Sequence, residues 1–174
     1  MSQRVGWFVL GIVAALLGFV VGGYLFIRAG GVPMETSAKP LPLEKTVARL
    51  ALRASLGNAA AEKDPLPGDD ANMLAGADLY TEHCAVCHGL PGRPPTFISK
   101  GMFPPPPQLF EKGGMVTRDP EGITYWKVTH GIRLTGMPGF GSALSITQRW
   151  QVAMLAAHAD KLSPAVRAAL APVR

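Results

Sequence analysis

The only two cysteines of this chain stand three residues apart, and a histidine follows at once: Cys84-Ala85-Val86-Cys87-His88. Two thiols about one helical turn apart can each add to one of the two vinyl groups of a haem, and the next side chain then carries an imidazole to the iron. The C-x-x-C-H run therefore reads as covalent attachment of a haem through Cys84 and Cys87, with His88 as one axial ligand. A thioredoxin-like dithiol shares C-x-x-C, but it belongs to a βαβ setting and this sequence has little strand character. Structural zinc needs four ligands, and His83, His88, His130 and His158 offer no second pair at finger-like spacing. A plain disulfide leaves His88 and everything downstream without a role.

The second axial position needs another donor. Met137 is the best placed, in Gly131-Ile132-Arg133-Leu134-Thr135-Gly136-Met137-Pro138-Gly139-Phe140, where glycines allow tight turns and Pro138 stiffens the chain beside the sulfur. A thioether is a soft, neutral donor that favours ferrous over ferric iron and so raises the reduction potential. Met102, Met115 and Met154 are alternatives of the same chemistry. Met154 falls in an apolar helical stretch and reads as packing, Met102 precedes a proline run, and Met115 follows two glycines. His130 and His158 read as ordinary polar residues, and His83 is too close to Cys84 to reach the iron without a sharp bend. An iron held by His88 and Met137 leaves no open position for a substrate. The pattern thus points to outer-sphere, one-electron exchange rather than to a haem peroxidase.

Several elements must position these groups. Asp69 or Asp70 can cap a helix that carries Met73, Leu74, Ala77, Leu79 and Tyr80 into the attachment run. Gly and Pro dominate from Gly89 through Pro107, which predicts loop wrapped around the cofactor. A short helix is expected over residues 121–130. Ser145 and Gln148 have capping-box spacing and open a helix through Trp150, Val152, Leu155 and Ala156, and Ser163-Pro164 suits the start of a last turn. There is no internal repeat, and one attachment run implies one haem.

Residues 5–27 carry no charge. At 1.5 Å per residue they would span about 34 Å as a helix, slightly more than the roughly 30 Å of a bilayer's hydrocarbon core. Trp7 and Tyr24 lie near the two ends, where amphipathic rings favour the interface, and Arg4 and Arg28 bracket the segment. A cleaved signal peptide, cut near Ala29 to Gly31, is the rival reading, but its apolar stretch is too long and Arg28 sits just before the cut. A retained membrane anchor is the better fit. Beyond it Pro33, Pro40 and Pro42 mark a linker, and residues 44–61 favour a helix with Lys45, Arg49 and Arg53 every four residues.

The whole pattern resembles class I monohaem cytochromes c, specifically bacterial membrane-anchored ones, over about residues 72–162. The resemblance is carried by Gly76-Ala77-Asp78-Leu79-Tyr80 ahead of the attachment run, by Pro107-Gln108-Leu109, by Gly136-Met137-Pro138 and by the helix around Trp150. It implies an all-α chain: a class I cytochrome c fold around one covalent haem c over residues 69–174, preceded by a transmembrane anchor at 1–28 and a linker at 29–68. It also implies a crossing of first and last helices, with Gly76 and Tyr80 facing Trp150 or Leu155. The family orients the ligand histidine on a proline carbonyl, a role that falls to Pro107 within the run Pro104-Pro105-Pro106-Pro107. Such cytochromes are matured outside the cytoplasmic membrane, which implies a single-pass protein of the bacterial inner membrane with its haem domain in the periplasm.

The function implied is that of a membrane-tethered one-electron carrier in a respiratory chain, meeting redox donor and acceptor proteins and not itself an enzyme. A fixed cytochrome subunit of a membrane oxidase, reductase or dehydrogenase complex is the second reading. Formal net charge is +5, but from Asp69 onward ten Lys or Arg face eight Asp or Glu, a balance that two haem propionates nearly cancel. Long-range steering is therefore weak, and nothing supports nucleic-acid binding.

Overall fold

A computed structural model describes residues 3–111 and 116–171. Among them all regular structure is helical, as expected of a class I cytochrome c. The helices are α1 (Gln3–Arg28), α2 (Glu44–Leu56), α3 (Asp70–His83), α4 (Ala85–His88), α5 (Phe97–Lys100), α6 (Glu121–His130), α7 (Ile146–Ala157) and α8 (Pro164–Ala169), with single 3-10 turns at Ala59–Ala61 and Val116–Arg118. By internal packing the chain divides into two units, Met1–Lys45 and Thr46–Arg174.

In the first unit α1 is 26 residues long and all of it is exposed. It is long and apolar enough to cross a membrane. Arg28 ends it and donates to the Tyr24 hydroxyl at 3.3 Å, one turn back.

The second unit is built around the crossing of α3 and α7. Asp69 caps α3 by accepting from the Asn72 amide at 2.9 Å, and Ser145 with Gln148 closes the capping box of α7. Ala77, Tyr80 and Leu155 form the core with Leu162, Val166 and Leu170, so α8 seals one end of it. The Ser163 hydroxyl donates to Asp70 at 3.0 Å and ties the start of α8 to the start of α3.

Gly76 is where the two helices touch. A Cβ there would run into the Gln151 carbonyl oxygen and lie 2.8 Å from its carbon, with Leu155 Cβ next at 3.4 Å. The small-residue contact therefore falls on Gln151 and Leu155. Trp150 is engaged elsewhere, stacked on Tyr125 of α6 with ring centroids 4.0 Å apart. Because the obstructing atoms are backbone, the helices must separate to admit a methyl group. Gly76→Ala is expected to cost about 2–3 kcal/mol, at the upper end for overpacking, and chemical denaturation of the purified protein measures it.

Residues 59–66 also belong to the packed unit. Ala59 is buried, and the carbonyls of Ala59 and Glu62 lie over Gly122 at the start of α6, where no side chain would fit.

Candidate haem site

The last turn of α3 runs almost without a break into α4. The Cys84 amide donates to the Tyr80 carbonyl at 2.8 Å, and the Cys87 and His88 amides both donate to the Cys84 carbonyl, at 3.1 and 2.9 Å. Two thiols and an imidazole thus leave one turn together. Both cysteines are free thiols. Burial, and to a lesser degree the neighbouring Cys87, pushes the Cys84 thiol up to about 11, so it is protonated at neutral pH. Tyr80 lies beneath them with its hydroxyl donating to the Gly89 carbonyl at 2.7 Å; burial foremost raises its pKa.

His88 Nδ1 lies 2.9 Å from the Pro107 carbonyl oxygen. A carbonyl only accepts, so Nδ1 carries the proton and Nε2 is the nitrogen available to a metal. Burial lowers the pKa of His88, against the opposing pull of the Pro107 carbonyl; the ring is neutral at neutral pH, the state that can ligate. The loop carrying Pro107 is clamped in place. Gln108 Nε2 donates to the Cys87 carbonyl and the Ser99 hydroxyl, each at 3.1 Å, and the Leu109 amide donates to the His88 carbonyl at 3.3 Å.

Met137 comes from the other direction, on the loop after α6. Gly131 ends that helix with φ +68, and a Cβ there would meet Pro138 and Gly139 backbone atoms at 2.6 Å, so the neck of the loop requires glycine. Internal bonds fix the rest. The Ile132 amide donates to the Met137 carbonyl at 3.2 Å, the Met137 amide to the Thr135 hydroxyl at 3.1 Å, and that hydroxyl to the Ile132 carbonyl at 2.6 Å. At its far end the Phe140 and Gly141 amides bond back to Val128 and Thr129 of α6. Arg149, buried on α7, donates to the Thr129 hydroxyl at 3.0 Å and holds the same corner.

These pieces line a single cleft of about 680 Å³, mouth included. Cys84, Cys87 and His88 reach it with the proline run Pro104 to Pro107, and Ile132, Thr135, Met137 and Pro138 reach it from the ligand loop. Its lining is almost wholly apolar. Two thiols, a neutral imidazole and a thioether around an apolar slot are the donor set and surroundings that a haem c requires.

Residues 71–170 match the family described as cytochrome c oxidase, cbb3-type, subunit III. The chain belongs to this family. No curated protein matches it. The matched span holds all of α3 but its first residue, the attachment run, Pro107, Met137 and α7, so the cbb3-type subunit III region coincides with the elements that build the cleft. Membership makes the domain a haem-based electron-transfer cytochrome.

All five residues singled out in the sequence, Cys84, Cys87, His88, Pro107 and Met137, line the cleft of this cbb3-type subunit III domain. His83 and Met102 line it too. Met102 places its terminal methyl against Gly136, beside the expected ligand. Met154 is buried in the core. His130 packs on Trp126, and His158 faces Glu121 at 3.4 Å. Met115 lies outside the described residues. Sequence reasoning missed the clamp made by Gln108, and also Thr96, whose hydroxyl donates to the Val86 carbonyl at 2.6 Å; the polar residue directly after Pro107 was the available signal.

Proposed function

We propose that this protein is a membrane-tethered one-electron carrier of a respiratory chain, its C-terminal domain on the periplasmic face of the bacterial inner membrane. The observation that carries the reading is the convergence, on one apolar cleft, of Cys84, Cys87 and a His88 ring oriented by Pro107 with Met137 from a separately locked loop. Cys84 and Cys87 would hold the haem as thioethers, and His88 Nε2 and Met137 Sδ would ligate its iron. The bound group contributes an iron that alternates between ferric and ferrous states. The chain's own part is to keep both donors fixed, exclude water and present an edge to a redox partner; with His88 and Met137 both bound to the iron, no position would be left for a substrate.

A second reading, a fixed cytochrome subunit of a membrane oxidase complex, is favoured by the family description. Gentle detergent extraction followed by size separation and mass spectrometry distinguishes the two. A free carrier is expected to migrate alone at its own mass plus detergent. Stoichiometric co-migration with oxidase subunits, persisting at high salt, would establish the fixed subunit instead.

A further inference from the structure

Helix α2 is neither part of the anchor nor part of the haem site. None of its 13 residues is buried. At about 100° per residue Val47, Leu50, Ala51 and Ala54 fall on one face, and Val47 and Leu50 are 61% and 68% exposed. Lys45, Arg49 and Arg53 are exposed as well, Arg53 beside that stripe and the other two away from it. Glu44, the helix's one acid, is spent at the N-terminus, where it accepts from the Leu41 amide at 2.7 Å. A helix this short is marginal alone in water, and an apolar stripe along it calls for a covering surface.

We propose that α2 lies flat on the bilayer that α1 crosses, with Val47 and Leu50 sunk among the acyl chains. This rests on the reading of α1 as a membrane anchor. Two observations choose lipid as the occupant. The first is charge: an apolar stripe flanked by Arg53, on a helix with two further cations and no free acid, suits an interface with anionic headgroups, which a long Arg side chain beside the stripe reaches by extending sideways. The second is the tether. Only 15 residues, 29–43, separate α1 from α2, a reach of at most about 50 Å even fully extended. Held that close, a stripe too small to bind membranes from free solution is presented at high effective concentration to one.

The test uses the full-length haem-loaded protein in nanodiscs containing anionic lipid. Single cysteines are introduced at Leu50, Arg49 or Val13, labelled with a nitroxide, and checked by mass for one label per chain. Electron paramagnetic resonance then compares the access of oxygen and of a water-soluble nickel chelate. The label at position 50 is expected to be severalfold less accessible to nickel than the label at 49, and Val47→Glu should abolish the difference without moving the label at 13. Equal nickel access at 49 and 50, with the label at 13 shielded, overturns the proposal and leaves the anchor standing. Nickel access at 13 as well overturns both. Shielding of position 50 that needs added membrane proteins, and is absent in lipid alone, also overturns it by making the stripe a protein-docking face.

Discussion

Replacing Cys84 and Cys87 together by alanine is expected to leave no haem that survives extraction with acidic acetone, whatever amount the cells supply. The two thiols leave one turn of α4, and no other cysteine exists in the chain to substitute for them. Loss of the cofactor should carry the fold with it. The cleft is bounded largely by loops, residues 102–107 and 132–140, whose apolar side chains line the space a haem would fill. Without it, those loops lose the apolar contact the haem would supply, and a stability of only about 5–15 kcal/mol leaves little margin for such a loss. Absence of a cooperative thermal transition in the double variant is the second readout. Covalent haem retained on the Cys84→Ala/Cys87→Ala protein would overturn the attachment.

Met137→Ala should have the largest effect on the redox chemistry. Sulfur ligation favours the reduced state, so its removal is expected to lower the potential on the order of 100–200 mV, a fraction of the roughly 0.8 V that axial ligands command. The ferric protein should also lose its sulfur-to-iron charge-transfer absorption and bind added cyanide or imidazole far faster. Met102→Ala is the comparison that gives this meaning, because Met102 lines the same cleft with its methyl against Gly136. If Met137 is the ligand, the Met102 variant keeps the absorption band and nearly the same potential. The reverse pattern would transfer the role to Met102.

How much of this was legible depended on how local each signal is. Caps depend on residues within a few positions, so a cap at Asp69 or Asp70 and the Ser145–Gln148 box could be read directly; the cap is Asp69, the box is closed, and Cys84, Cys87 and His88 leave one helical turn. The partners across long separations could not. Gly76 announces a close approach but not its target, and the target proved to be the backbone at Gln151 because Trp150 turns to stack on Tyr125. Gln108 reads as one polar residue after a proline run; that its amide bridges Cys87 and Ser99 follows only from the path of the chain. Residues 44–61 read as one helix, but it ends at Leu56 before Gly57 at φ +49, and Ala59–Ala61 forms a separate turn whose place against α6 is set by tertiary contact.

The run from Pro104 to Pro107 has a further consequence. Proline has no backbone N–H, so four successive residues of the cleft wall present carbon and carbonyl oxygen but no main-chain donor. The ligand loop uses the amides of Ile132 and Met137 on itself and those of Phe140 and Gly141 on α6. Few dipoles around the cleft are therefore free to turn when one unit of charge arrives or departs, and little water has a donor to hold it there. In most proteins the medium must rearrange before an electron can settle. Here the wall would have little to rearrange as a charge arrives or departs, which would keep the reorganisation energy low.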